Sequence, residues 1–121
     1  MRMRFASLWI SDEDKAIDFY TNKLGFKLVV ATPTPFGSRF LMFSPPGGGA
    51  NIVLSKPVPG VPNARVGGFT NIAWETDVQQ GPYELLKARG VEFTQPPTRQ
   101  PWGTEARFSD QDGHIFQLHQ V

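Results

Sequence analysis

The sequence predicts an α+β fold built from two tandem βαβββ modules. Three observations predict it: the order of predicted strands and helices, matching residues repeated at a spacing of 65 positions, and a turn-rich composition. The chain has 121 residues, of which 12 are glycine and 11 are proline. A single average domain holds about this many residues, so we expect one domain over 1–121.

Module one is predicted over about 4–56. Its first strand is the apolar segment 5–10. Ser11 is the expected N-cap of a helix, because acidic residues fill the first turn and apolar residues then recur at helical spacing. Gly25 is expected to end this helix. Three strands follow, separated by Pro- and Gly-rich turns, at 26–32, 40–43 and 51–55.

A Pro-rich linker is predicted over about 57–66, and module two over about 67–121. Asp77 is a candidate helix cap. The helix is expected to begin late, near Gly81, or to kink there, since proline fits a first helical turn but not an interior. Gly90 is expected to end it. Strands are predicted at 69–75, 91–94, 105–109 and 115–120, with a loop at 96–103 and a tight turn at 110–113.

The two halves repeat each other at a constant offset. Five identical residues recur 65 positions apart, each at the same place in its half: a helix start, a helix end, two positions closing a strand, and the next turn. Matches at corresponding structural positions indicate a duplicated unit. The pairs are Asp12 and Asp77, Gly25 and Gly90, Phe43 and Phe108, Ser44 and Ser109, and Gly48 and Gly113.

Composition excludes several classes of function. The chain has no cysteine, which excludes disulfides, thiolate metal sites and cysteine nucleophiles. Twelve Lys and Arg against eleven Asp and Glu give a net charge of +1, too little to favour nucleic acid. No apolar run approaches the ~20 residues that span a bilayer, and no signal peptide is apparent. We therefore expect a cytoplasmic protein with no membrane or nucleic-acid partner.

Segment 11–26 resembles the first-helix signature of the vicinal oxygen chelate superfamily, the glyoxalase, bleomycin-resistance and extradiol-dioxygenase group. Segment 86–91 resembles its second helix, and the Asp-Gln-Asp-Gly turn at 110–113 resembles its terminal turn. The resemblance covers nearly the whole chain. It implies that the two modules form a half-open barrel around a ligand site, and that the protein is a homodimer.

The resemblance also implies four metal-ligand positions, one on the first and one on the last strand of each module. Here they are occupied by Phe5, Val53, Asn71 and Gln117. Two of these side chains are apolar and two are neutral amides, which are weak ligands for a hard divalent cation. We therefore expect no metal and no other cofactor.

Strand alternation predicts which side chains face the ligand. The cavity-facing sets mix aromatic and neutral polar groups, which suits a flat organic molecule, and the helix-facing sets are nearly all apolar. Loop residues Phe36 and Trp102 are candidates to cover the mouth, and Arg39 and Arg107 are candidate anion contacts. The predicted ligand-binding residues are Phe5, Ser7, Trp9, Asn51, Val53, Asn71, Trp102 and Gln117.

These features predict a metal-independent protein that binds a small organic ligand, with resistance by sequestration as one role. The alternative is a glyoxalase-like lyase or isomerase, or a dioxygenase, whose relocated site uses His119 with Glu75 or Glu105 as an acid–base pair. A third interpretation is a regulatory domain with a vestigial cavity. His114 follows a turn glycine and is expected to be solvated.

Overall fold

A computed structural model of the chain describes residues 1–76 and 81–120. The chain divides into two compact units, Met1–Val66 and Gly67–Val121. Each unit is one βαβββ module, so the α+β fold predicted from the sequence is confirmed.

Unit one is a mixed four-stranded sheet with the strand order β1-β4-β3-β2. Strand β1 pairs with β4 in parallel, and the other two pairs are antiparallel. Helix α1 runs directly into a π-helical turn at Phe19–Lys23. The elements are β1 Phe5–Trp9, α1 Glu13–Asp18, β2 Lys27–Pro33, β3 Arg39–Ser44 and β4 Asn51–Ser55.

The core of unit one lies between α1 and one face of the sheet. Tyr20, in the π-helical turn, is fully buried, and its ring centroid lies 5.5 Å from that of Phe43 on β3. Ile52 and Leu54 on β4 are also fully buried. Alternation along β4 therefore directs Ile52 and Leu54 toward the helix and Asn51, Val53 and Ser55 to the opposite face.

Unit two repeats this arrangement with the strand order β5-β8-β7-β6. Its core is a row of aromatic rings, in which Phe108 lies 5.8 Å from Phe93 and 5.5 Å from Phe116, centroid to centroid. Tyr83 of the helix packs on Phe93 at 4.6 Å. The elements are β5 Gly68–Thr76, α2 Gly81–Ala88, β6 Glu92–Gln100, β7 Gly103–Ser109 and β8 His114–Gln120.

The repeated residues occupy equivalent positions in the two units. Phe43 and Phe108 are both buried on the third strand of their unit. Gly25 and Gly90 follow the helical segments with φ of 77° and 90°, a backbone conformation that favours glycine. Asp77, the repeat partner of Asp12, lies outside the described residues.

The predicted loop at 96–103 is wrong, because β6 continues as a strand to Gln100. Strand β6 is at the edge of its sheet, where a missing N–H is tolerated. The pairing with β7 also shifts register between Gln95 and Thr98, so Pro96 and Pro97 lie in an irregularity of the ladder. Neither proline is required to donate a hydrogen bond to β7.

The predicted N-cap at Ser11 is also wrong, by one residue. Asp12 has an extended backbone, and its carboxylate accepts a hydrogen bond from the backbone N–H of Lys15 at 2.9 Å. In the second helix, the described residues are Gly81–Ala88, and Pro82 is the second of them. The predicted start near Gly81 adjoins residues 77–80, which lie outside the described residues, so it stays a prediction. Within the described ranges, no helix is long and apolar enough to cross a membrane.

Candidate functional site

The face of the first sheet opposite α1 is mainly apolar. Phe5 on β1 contacts Phe40 on β3 edge-to-face, with centroids 6.3 Å apart. Val53 is only 2% exposed, so its side chain packs against protein atoms. Asn51 donates a hydrogen bond from Nδ2 to the sulfur of Met42 at 3.3 Å. This face therefore combines apolar surface with neutral polar groups.

The structure places two further predicted residues, Ser7 and Trp9, on this face by register. Ser7 pairs with Val53 and Trp9 pairs with Ser55 across the parallel β1–β4 ladder. In a parallel pair, facing residues direct their side chains to the same side of the sheet. Ser7 is exposed, and Trp9 is half-buried with a backbone bridge to Val66. Phe5, Ser7, Trp9, Asn51 and Val53 thus share one face within unit one.

In unit two, a β-bulge positions Asn71. The β5–β8 register shifts between Phe69 and Ala73, and Asn71 has φ of 58°, in the left-handed region that asparagine tolerates better than most residues. The Thr70 hydroxyl donates to the carbonyl of Ile115 at 2.7 Å and accepts from the N–H of Ile72 at 3.1 Å. Thr70 thereby replaces ladder hydrogen bonds that the bulge interrupts.

A chain of hydrogen bonds runs from this bulge across the face opposite α2. Gln117 donates from Nε2 to Oδ1 of Asn71 at 3.3 Å. The other amide atom of Gln117, Oε1, lies 2.9 Å from Nε2 of His119. The same imidazole nitrogen lies 3.0 Å from Oε1 of Glu105. Two predicted ligand contacts and two predicted catalytic candidates are therefore linked in one network.

Glu105 is a buried carboxylate held between two positively polarised groups. It is 3% exposed, and its second oxygen lies 3.6 Å from Nε of Arg107. The guanidinium of Arg107 in turn lies over the ring of Phe69, 5.1 Å from its centroid. Burial of a carboxylate is favourable only when such partners replace its water. Glu105 therefore connects His119 to Arg107 and holds both on this face.

Glu75 does not take part in this network. It is the register partner of His119 across the β5–β8 ladder but is exposed. No hydrogen bond or ion pair joins it to His119 in the described part of the chain. Of the two acid–base pairs considered from the sequence, the structure forms only the one with Glu105.

The predicted loop residues lie at hairpin tips. Trp102 is 66% exposed in the turn between β6 and β7, and Phe36 is 58% exposed in the turn between β2 and β3. Arg39, considered as an anion contact, pairs instead with Glu13 at 2.9 Å and Asp14 at 3.0 Å. Its guanidinium therefore holds α1 to β3.

The prediction that His114 is solvated is wrong. It is 1% exposed, and Nδ1 lies 2.7 Å from Oδ2 of Asp110. Alternation along β8 explains the burial, because residues 114, 116 and 118 share the helix side of the strand. The other oxygen of Asp110 accepts from the backbone N–H groups of Asp112 and His114, both at 2.9 Å. His114 and Asp110 thus stabilise the terminal turn.

The residues at the four metal-ligand positions do not fit a divalent cation. Phe5 and Val53 offer no donor atom, and Asn71 and Gln117 use their amides to bind each other. Such a set lacks both the anionic oxygens and the imidazoles that hold transition metals. Within residues 1–76 and 81–120, no three His, Asp or Glu side chains converge into a metal-binding group.

The sequence reasoning did not select Phe69, although the structure places it on the face opposite α2. Phe69 is 54% exposed and carries the Arg107 guanidinium on its ring. It lies two residues before Asn71, so the alternation that selected Asn71 also applies to it. The exposed aromatic ring at that position is the signal that could have identified it.

Comparison with known proteins gives consistent matches over the whole chain. The model of the Glyoxalase/Bleomycin resistance protein/Dioxygenase superfamily matches residues 2–118. A crystal structure of a member of this superfamily from Sphaerobacter thermophilus DSM 20745 is 37% identical, with a TM-score of 0.89, covering 100% of this chain and 98% of that one.

Two further relatives show similar coverage. TnmS3, described as an antibiotic binding protein from Streptomyces sp. CB03234, is 33% identical with a TM-score of 0.82, covering 99% of this chain and 95% of that one. An uncharacterized protein of Shewanella frigidimarina (strain NCIMB 400) is 35% identical over 121 residues, covering 95% of this chain and 90% of its own.

Proposed function

Because the chain belongs to the Glyoxalase/Bleomycin resistance protein/Dioxygenase superfamily, we propose that it binds a small organic molecule without a metal ion and acts by sequestering it. The amide pair of Asn71 and Gln117 carries this proposal. It occupies two positions where the family resemblance implies metal ligands, and the Gln117 amide donates a hydrogen bond to the Asn71 amide oxygen at 3.3 Å. The positions can therefore serve hydrogen bonding but not metal binding.

Two further observations support a binding role. The face opposite α1 offers aromatic and aliphatic surface suited to stacking. The relative TnmS3, 33% identical, is described as an antibiotic binding protein. The contacts that we propose are Phe5, Ser7, Trp9, Asn51 and Val53 in unit one, and Asn71, Trp102 and Gln117 in unit two.

Titration calorimetry with a flat aromatic probe, 2-methoxynaphthalene, tests the proposal. We expect saturable, stoichiometric binding that a metal chelator does not change, with the probe recovered intact. Trp9→Ala should weaken binding about tenfold, the effect of losing one aromatic contact of about 1.4 kcal/mol.

The matched control is Trp74→Phe. Trp74 packs on Phe116, with ring centroids 5.8 Å apart, on the side of the sheet away from the predicted ligand contacts, so this substitution should leave the affinity unchanged. Equal loss in both variants would show that the effect of Trp9→Ala is not local. Absence of saturable binding in the wild type would contradict the proposal.

The hydrogen bond between His119 and Glu105 favours a second candidate function, a proton-transfer enzyme. A carboxylate that fixes an imidazole prepares it for general acid–base work. The test is isomerisation of the hemithioacetal of glutathione and methylglyoxal, with and without added nickel or zinc. Turnover that His119→Ala abolishes in a folded protein would favour this candidate over sequestration; we expect no turnover.

A further inference from the structure

We propose that Glu105 and Gln117 fix His119 as the tautomer protonated on Nε2, so that Nδ1 accepts a hydrogen bond from a hydroxyl group on the bound ligand. This inference deepens the proposed binding function and rests on it. It assigns the ligand a chemical class: a planar organic molecule that carries a hydroxyl, such as a phenol.

The environment of Nε2 fixes the position of the proton. Both groups that contact this nitrogen present oxygen acceptors, Oε1 of Glu105 at 3.0 Å and Oε1 of Gln117 at 2.9 Å. The orientation of the Gln117 amide is set by its other end, where Nε2 donates to Oδ1 of Asn71. A nitrogen between two acceptors must carry a hydrogen, so Nε2 is the donor.

The remaining ring nitrogen is then available as an acceptor. In neutral imidazole, when one nitrogen carries the hydrogen, the other holds a lone pair. Nδ1 of His119 has no hydrogen-bond partner among residues 1–76 and 81–120, and the side chain is 33% exposed. A ligand group facing it must therefore be a hydrogen-bond donor.

The buried carboxylate selects the kind of donor. Glu105 is 3% exposed, and its carboxylate lies 3.6 Å from Nε of Arg107. The same carboxylate contacts Nε2 of His119, so its negative charge lies on the side of the ring opposite Nδ1. This charge strengthens Nδ1 as an acceptor, and the gain is greatest for an acidic O–H. The exposed ring of Phe69, with Ile115 beside it in register, provides apolar surface on the same face.

The tautomer is tested directly by nitrogen NMR of the imidazole rings near neutral pH. The chain has only two histidines, so a His119→Gln spectrum assigns both rings. We expect the neutral imidazole of His119 to carry its hydrogen on Nε2. A neutral ring with the hydrogen on Nδ1 would overturn the proposal without affecting the proposed function.

Ligand class is tested by calorimetry with a matched probe pair, 2-naphthol and 2-methoxynaphthalene. We expect 2-naphthol to bind about fivefold more tightly, as one net hydrogen bond provides. His119→Phe should abolish this preference, and Glu105→Gln should reduce it. Glu75→Gln is the matched control and should leave the preference unchanged, because Glu75 pairs with His119 in register but makes no hydrogen bond or ion pair with it among the described residues.

The affinities for the two probes distinguish the hydroxyl assignment from the binding function. Equal affinities for the two probes in the wild type would overturn the hydroxyl assignment and leave the binding function standing. Retention of the preference in folded His119→Phe would also overturn it. Absence of binding by both probes would contradict the binding function itself, and with it this inference.

Discussion

Arg39 is the residue through which α1 is held to β3. Its backbone N–H and its Nε donate to the two oxygens of Glu13, at 2.7 and 2.9 Å. Burial alone would raise the pKa of Glu13, but the hydrogen bonds and charge of Arg39 outweigh it, so the pKa lies below the ordinary value of 4.5. The ionised carboxylate is therefore the form that stabilises the folded chain.

Because folding lowers the pKa of Glu13, the stability of the protein should depend on pH. A carboxyl whose pKa is depressed by folding contributes stability above its unfolded pKa and loses it as pH falls through the folded pKa. We expect Glu13→Gln to lower the free energy of unfolding at neutral pH by at most about 1 kcal/mol, since Arg39 is 38% exposed. The difference from wild type should shrink as pH falls below 4.5.

Urea denaturation across this pH range measures the effect. Asp14→Asn is the control, because Asp14 contacts the same guanidinium but is 90% exposed, and it should cost less than Glu13→Gln. A Glu13→Gln difference that stays constant from neutral pH to about pH 3 would contradict this explanation.

Acidic residues at 12–14 predicted the start of the helix. The partner of Glu13 is Arg39, 26 positions away, and a local sequence pattern does not identify so distant a partner.

At the scale of elements, the bulge in β5 is the feature that shapes the face opposite α2. It gives Asn71 a left-handed backbone and lets its side chain reach Gln117. Strand alternation predicted that Asn71 faces away from the helix side of its sheet, but not the bulge. Asparagine within a strand was the only local sign of a positive φ.

Paired substitutions at Asn71 test the backbone explanation. Alanine and glycine both remove the hydrogen bond to Gln117, but only alanine must hold a side chain at φ of 58°. We therefore expect Asn71→Ala to be less stable than Asn71→Gly by about 1 kcal/mol, measured by urea denaturation. Equal stabilities, or the reverse order, would show that the left-handed conformation is not maintained.

Strand β6 shows why element boundaries were harder to predict than element order. Two adjacent prolines indicate a loop in most contexts. Here they fall in an irregularity of an edge strand, so the strand continues through them. Whether a strand is central or at an edge depends on the topology of the whole unit. Residues 96–103 alone therefore do not reveal that β6 is an edge strand.

At the scale of the whole molecule, the duplicated pattern is what made the fold predictable. Phe43 and Phe108 are buried at matching positions, and the two sheets have equivalent strand orders. The candidate site was less predictable. The sequence pointed to Gln117 and to two acidic partners for His119. Both Glu75 and Glu105 pair with His119 in register, and only the side-chain contact of Glu105, at 3.0 Å, distinguishes them.

The two units differ in the kind of side chain that occupies the implied metal-ligand positions. In unit one the implied positions hold Phe5 and Val53, which pack within an apolar face. In unit two they hold Asn71 and Gln117, which belong to a hydrogen-bond network. Both changes favour binding an organic molecule by surface contact and hydrogen bonds. We therefore propose that the protein binds its ligand without a metal ion.

Native mass spectrometry of the purified protein with 2-naphthol, before and after treatment with a metal chelator, measures the bound organic molecule and any bound metal ion together. We expect a complex with the intact organic molecule in both samples and no stoichiometric divalent ion in either. A divalent ion retained in stoichiometric amount, whose removal by the chelator abolishes the complex, would contradict metal-independent binding.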